Sequence, residues 1–154
     1  MIPSTTVCVH ENTADWVNDE IRRRTEESIA WHAAAGPEAI DRRLEELDRE
    51  WDIERILEVN AATVALMGLG LGTFVDRRFY LLPAVVAGFL LQHAIQGWCP
   101  PVPVFRRLGV RTAAEIAEER FALKALRGDF RNVADEDAGG DWSRIGESLH
   151  ATRR

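Results

Sequence analysis

The chain has 154 residues, of which 46% are hydrophobic and 29% charged, and its formal net charge is −6. This length suits one modest domain, and the acidic net charge argues against nucleic-acid binding, which requires a basic face. The two cysteines, Cys8 and Cys99, are too few for a disulfide framework. The first 30 residues contain no apolar segment typical of a signal peptide, so we expect any membrane insertion to come from inside the chain.

The chain begins with a segment, residues 1–12, that is predicted to be extended or disordered. Residues 13–55 are predicted to form amphipathic helices, the first of which is expected to end near Gly36. The second helix has apolar residues at spacings of four, three and four, namely Ile40, Leu44, Leu47 and Trp51. Such a stripe can lie on a membrane or pair with a partner helix, but its mixed, acidic polar face favours packing within the protein or its dimer.

Residues 56–98 are predicted to form a transmembrane helical hairpin. Residues 59–75 and 79–98 contain no Asp, Glu, Lys or Arg, and a charged turn at residues 76–78 separates them. As helices they are about 25 and 30 Å long, against roughly 30 Å for the hydrocarbon core of a bilayer. A spanning segment must satisfy its own backbone hydrogen bonds, so both runs are expected to be helical, and the short turn makes them antiparallel.

Small residues recur along both predicted spans. Small side chains let helices approach closely in a membrane, where dispersion contacts replace the hydrophobic effect. The seam either seals the two helices of one hairpin or dimerises two chains through Gly68 and Gly72. The residues of this predicted packing or dimerisation site are Ala61, Ala65, Gly68 and Gly72 on the first span and Ala84 and Gly88 on the second.

Basic residues flank the hairpin more heavily than they occupy its turn, which contains only Arg77 and Arg78. The positive-inside rule therefore predicts that both termini face the cytoplasm. Residues 99–127 are expected to form a proline-rich exit that stays non-helical for several residues, followed by an amphipathic helix. Residues 128–154 are expected to form a disordered polar tail.

Two groups near the end of the second span can support chemistry. Cys99 lies close in sequence to Arg106 and Arg107. Nearby positive charge can lower the pKa of a thiol, which would allow Cys99 to act as a sulfur or redox relay. Alternatively, Cys99 is simply a small residue at a helix end. Gln92, His93 and Gln96 form a possible intramembrane polar site, or they reach the interface or bond across helices. No metal site, cofactor or catalytic constellation is predicted.

A motif at the end of the second span resembles a known family. The motif combines Gly88, Gln92 and Gly97-Trp98-Cys99-Pro100 with a following Leu108-Gly109, and Arg55-Ile56 precedes the first span. The region 54–112 resembles the YgaP-like inner-membrane hairpin family. The resemblance implies a small, multi-pass protein of the bacterial inner membrane that dimerises through its helices. Some members of that family carry a sulfur-transferring rhodanese domain, but the segment before this hairpin is helical in character.

The leading hypothesis is therefore an all-α, non-enzymatic integral membrane protein. Its partners would be the lipid bilayer, a second copy of the chain and a cytoplasmic protein held by the flanking helices. One alternative makes Cys99 a relay for a separate rhodanese-like protein. Another treats the hairpin as the buried centre of a soluble helical bundle. Transport would require an oligomer with a polar lining, for which Gln92, His93 and Gln96 are the candidates.

Overall fold

The computed structural model describes residues 9–131 and 141–153, and this part of the chain is helical, with no strands. The predicted all-α fold class is therefore confirmed. In chain order the helices are α1 (Asp15–Ala35), α2 (Pro37–Arg49), α3 (Ile53–Phe74), α4 (Leu81–Gln96), α5 (Val102–Arg107), α6 (Ala113–Arg127) and α7 (Asp141–Arg153). A 3-10 turn, Arg77–Tyr80, connects α3 to α4.

The chain divides into two compact units. The hairpin unit comprises Met1–Arg22 and Trp51–Ala114, and the second unit comprises Arg23–Glu50 and Glu115–Arg154. The hairpin unit has a small hydrophobic core. Phe105 and Val110 pack against this core. The buried residues of that core are Val9, Ile53, Leu57, Cys99 and Val102.

The N-terminal segment differs from the expectation where the structure describes it. Residues 9–11 are helical, and the side chain of Val9 is fully buried in the core of the hairpin unit. The Thr13 hydroxyl donates a 2.7 Å hydrogen bond to the Val9 carbonyl. This segment has little helical periodicity. The burial of Val9 and the hydrogen bond from Thr13 account for its helical structure. The prediction for residues 1–8 lies outside the described residues.

The helices α3 and α4 form the predicted hairpin. Asp52 caps the start of α3, where its carboxylate accepts a 2.8 Å hydrogen bond from the Arg55 amide. The helix α3 has 22 residues and is about 33 Å long. It begins at Ile53, before the uncharged run. Asp76 caps the connecting 3-10 turn in the same way, through the Arg78 amide. The connection therefore extends to Tyr80, beyond the three charged residues that the sequence marks.

Both long helices are apolar and exposed along most of their length. By length and composition, helices within Pro37–Phe74 and Arg77–Gln96 are able to cross a membrane. Only 17% of the most apolar 18-residue window in the first and 6% of that in the second is buried within the chain. Their large side chains, such as Leu66, Phe74 and Leu91, are exposed. This arrangement does not match a soluble bundle with the hairpin at its buried centre.

The exit from the hairpin contains a helix that was not expected. Gly97 ends α4 in a left-handed conformation, with φ of 68°, and α5 begins only a few residues later. Pro103 is tolerated because it lies in the first turn of α5, where a backbone N–H would have no intrahelical acceptor. The expectation that the proline-rich exit stays non-helical is therefore wrong beyond residue 101. The amphipathic helix expected after it is α6.

The second unit buries the apolar stripe of α2. Ile40, Leu44 and Leu47 pack with Ile116 and Leu123 of α6. The prediction that this stripe packs within the protein is confirmed for these three residues, whereas Trp51 lies beyond the end of α2 and is exposed.

The expected disordered tail contains α7. Ala151 of this helix is buried, and the Lys124 ammonium of α6 donates a 2.8 Å hydrogen bond to the Thr152 carbonyl. A cation near the C-terminus of a helix interacts favourably with its free carbonyls. The prediction of disorder is therefore wrong for residues 141–153, and residues 132–140 lie outside the described part of the chain.

Candidate functional site

The seam of small residues on α3 faces the second half of the hairpin near the 3-10 turn Arg77–Tyr80. This end of the hairpin is called the closed end. A Cβ at Gly68 would lie 2.7 Å from Cδ of Pro83, and a Cβ at Gly72 would lie 2.8 Å from Cδ1 of Tyr80. These distances are shorter than any normal carbon–carbon contact, so a larger residue at either position requires Pro83 or Tyr80 to shift. Ala61 and Ala65, on the same side of α3, are half-buried. Both buried glycines therefore serve the hairpin itself.

The small residues expected on α4 do not join this seam. Ala84 is exposed, and a Cβ at Gly88 would have no heavy atom within 4 Å. The side chains that face Gly68 from the second limb are instead Leu82 and Pro83. Spacing alone placed Ala84 and Gly88 on a common face of the helix but could not specify which face meets α3.

The three polar residues near the end of α4 have separate environments. His93 is buried, and its Nε2 lies 3.4 Å from Oε2 of Glu54 on α3. Its Nδ1 has no hydrogen-bond partner among the described residues. Gln92 is half-buried and Gln96 is exposed. The backbone carbonyl of Gln96 accepts a 3.3 Å hydrogen bond from the side-chain amide of Asn12. The structure thus pairs His93 with Glu54 across the two helices, which is one of the alternatives left open by the sequence.

A hairpin signal in the sequence could have suggested that pair. Glu54 lies in the first turn of α3 and His93 in the last turn of α4, and antiparallel neighbours bring these two turns to the same end. In the described part of the chain, no three side chains of His, Cys, Asp or Glu are placed to hold a metal ion. The Glu54–His93 pair is therefore characterised by its hydrogen bond.

Cys99 lies in the core of the hairpin unit, where 4% of the residue is exposed. Burial raises the pKa of the Cys99 thiol, and the negative charge of Glu54 raises it further. This direction is opposite to the lowered pKa that a thiol relay requires. Sequence proximity to Arg106 is misleading, because the guanidinium of Arg106 bonds elsewhere.

Arg106 is a structural centre that sequence reasoning missed. It is the largest side chain in the described residues that is almost fully buried, with 1% exposed. Its Nη2 donates to Oδ1 of Asn18 at 2.9 Å, its Nε to Oγ1 of Thr13 at 3.3 Å, and its Nη1 to the Val110 carbonyl at 3.1 Å. Arg106 thereby links α5 to the start of α1. No periodicity signals this role, because the partners are about ninety residues apart in sequence.

The second unit contains a buried ion pair. Glu119 of α6 is completely buried and accepts hydrogen bonds from Arg43 Nε at 2.9 Å and Nη2 at 3.1 Å. The Ser28 hydroxyl of α1 donates a third, at 2.6 Å. The hydrogen bond to the Glu119 carboxylate raises the pKa of Arg43 further above its ordinary value. A bidentate pair with a third donor fixes three helices, which is a structural role.

Comparison with known proteins provides no further assignment, since no family model, curated protein or solved structure matches this chain.

Proposed function

We propose that the protein is a small integral membrane protein whose helical hairpin anchors a cluster of cytoplasmic helices, and that it acts as a scaffold without catalysis of its own. The observation that carries this proposal is the exposure of both long apolar helices, joined by a short charged turn. Exposed apolar surface of this extent is costly in water and favourable in hydrocarbon. The resemblance to the YgaP-like family supports a bacterial inner membrane as its location.

Aromatic side chains at both ends of the hairpin support the same function. Trp51 and Trp98 lie at the open end of the hairpin, where α3 begins and α4 ends. The guanidinium of Arg55 lies over the Trp51 ring, with its Cζ 4.4 Å from the ring centroid. Phe79 and Tyr80 lie at the closed end and are exposed. Tryptophan and tyrosine favour the membrane–water interface, where the ring is apolar and its polar atom reaches water.

Contacts at the open end support an even number of crossings. Asn12 bonds to the carbonyl of Gln96, and Asn18 bonds to Arg106. Segments before and after the hairpin therefore occupy the same side of it. Together with the basic residues of the flanks, this supports two spans with both termini in the cytoplasm.

The outward surface of α4 supports a dimer. Because Gly68 and Gly72 are occupied within the hairpin, the available small pair is Ala84 and Gly88, which leaves room for a second α4 to approach. An i, i+4 pair of small residues permits close helix contact in membranes. We therefore assign the homodimer interface to α4 rather than to α3. The second unit exposes Trp31 and Phe121, which gives a cytoplasmic protein partner apolar surface to contact.

Carbonate extraction tests membrane integration. Membranes from cells that express the tagged chain are washed at high pH, and we expect the protein to remain in the pellet and to be released by detergent. A Leu91→Arg variant places a charge on an exposed face of α4 and should impair integration, because a central arginine costs about 2.5–3.5 kcal/mol on insertion scales. A Leu149→Arg variant on exposed α7 is the control and should stay in the pellet. Release of the unmodified chain without detergent would overturn the proposal.

Cross-linking in detergent and in vesicles tests the dimer. A Gly88→Leu variant should reduce the cross-linked dimer because it fills the space beside α4. Gly70 provides a matched control on α3, since a Cβ there would also have no heavy atom within 4 Å. Equal dimer yields from the Gly88→Leu and Gly70→Leu variants would contradict an interface on α4.

A further inference from the structure

A groove lies between the two helices of the hairpin. The groove has a volume of about 240 Å³ and is bounded by α3, α4 and the exit turn at residues 99–101. Its walls are largely apolar, with the Asn60 carboxamide the one amide side chain among them. The lining residues on the helices are Leu57, Asn60, Ala61, Val64, Val86, Phe89 and Leu90.

The side chains between the two helices differ in size along the hairpin. At the closed end Gly68 and Gly72 let Pro83 and Tyr80 approach the α3 backbone. Further towards the open end, Val64, Val86 and Phe89 line the groove. Cys99 and the two prolines that follow it line the groove at the open end itself.

We propose that this groove is a binding site for one acyl chain of a phospholipid. The inference rests on the proposed function, because only a hairpin in a bilayer presents its groove to hydrocarbon. The largely apolar walls suit methylene groups, and the volume of about 240 Å³ accommodates part of one acyl chain rather than a whole lipid. The groove reaches the open end of the hairpin, where the lipid headgroups would lie.

Asn60 gives the proposed site a polar contact. It lies two residues after Glu58, near the start of the uncharged run, so its carboxamide is at the depth where acyl chains join the glycerol backbone. The amide can donate a hydrogen bond to the ester carbonyl of the bound lipid. A side-chain amide in an otherwise apolar groove orients an amphipathic ligand, whereas it would be unfavourable against hydrocarbon alone.

Photochemical labelling tests the site. The full chain is reconstituted in vesicles that contain a trace of phosphatidylglycerol with a diazirine on one acyl chain, and labelled residues are mapped by mass spectrometry. We expect about tenfold more label on the groove residues Val86 and Phe89 than on the outward residues Leu66 and Met67, equivalent to about 1.4 kcal/mol. Similar labelling of both sets would show ordinary surrounding lipid only and would overturn the proposal.

A matched pair of variants identifies the groove as the cause. Ala61→Phe fills the groove, and we expect it to reduce labelling of Val86 and Phe89 to the level of the outward residues. Ala62→Phe adds the same ring to the neighbouring exposed position and should leave the labelling unchanged. If both variants retain the groove label, or if the label is replaced by cross-links between two chains, the acyl-chain site is wrong.

The same experiment separates this proposal from the proposed function. Absence of label from both the groove and the outward residues, with the unmodified chain released by carbonate, would mean that the hairpin is not in the membrane. Label on the outward residues alone would keep the membrane hairpin and reject the acyl-chain site. In the wild-type chain, an ether-linked diazirine lipid should label the groove less than the ester-linked lipid, because it lacks the carbonyl for Asn60.

Discussion

The ring of Tyr80 lies so close over Gly72 that a Cβ at residue 72 would be 2.8 Å from its Cδ1 and Cε1. The Tyr80 hydroxyl continues past the glycine to within 3.1 Å of Oγ1 of Thr73. One aromatic side chain therefore closes the hairpin by packing on backbone and by a hydrogen bond. The position of its ring depends on the missing side chain at residue 72.

A Gly72→Ala substitution should destabilise the hairpin. Alanine favours a helix by about 0.8–1.0 kcal/mol over glycine, but a buried clash costs about 1–3 kcal/mol. We expect a net loss for Gly72→Ala and a gain for Gly70→Ala, where a Cβ meets open space. Unfolding of detergent-solubilised protein by added SDS, followed by circular dichroism, measures both. Equal stability of the two variants would show that Tyr80 moves aside without cost.

The Glu54–His93 pair should couple the two helices at the open end. A double-mutant cycle with Glu54→Ala and His93→Leu should give a coupling free energy of about 1 kcal/mol, within the range of about 0.5–3 kcal/mol for residues in contact. Gln96→Ala is the control for α4, since the exposed Gln96 uses its backbone carbonyl rather than its side chain. The measurement is again SDS unfolding. Additive effects of the two substitutions would contradict the hydrogen bond.

The Glu119 carboxylate should be essential to the second unit. Glu119→Ala leaves the Arg43 guanidinium without its bidentate acceptor, and loss of one member of a buried pair costs about 3–5 kcal/mol. We expect amide hydrogen exchange in α2 and α6 to accelerate by about a hundredfold or more. The exposed pair Arg49–Glu45 provides the control, and Glu45→Ala should change exchange little. An unchanged exchange rate in Glu119→Ala would show that the pair is dispensable.

The thiol of Cys99 should react slowly near neutral pH. Its raised pKa reduces the thiolate fraction, and the folded chain therefore binds the thiol proton more tightly than the unfolded chain does. In a Cys8→Ser chain, alkylation should be slower than that of a free peptide thiol and should rise with pH at higher values than the ordinary pKa of about 8.5. The same linkage means that ionisation of this thiol lowers stability as pH rises. Rapid, selective alkylation at neutral pH would revive the relay.

The sequence was informative where a pattern is local. The charge-free runs and the spacing of Ile40, Leu44 and Leu47 predict α2, α3 and α4, because backbone hydrogen bonding and apolar burial act over short separations. The direction in which the Gly68–Gly72 seam faces was left open, since one helix does not specify its partner face. Contact with Pro83 and Tyr80 decides it.

Features that depend on distant partners could not be predicted. The Arg106 bonds to Thr13 and Asn18 cross most of the chain, and no periodicity in either segment indicates them. The helix α7 has a polar composition, and its burial of Ala151 and its contact with Lys124 arise only in the folded unit. The groove likewise combines residues of α3, α4 and the exit turn, which are distant in sequence.

The bonds of Arg106 also impose an order on biosynthesis. Asn18 leaves the ribosome 88 residues before Arg106, and both apolar helices are synthesised between them. The N-terminal segment therefore cannot make these hydrogen bonds until both apolar helices have been synthesised and α5 has emerged from the ribosome. The hairpin unit consequently reaches its final structure only after most of the chain has been translated.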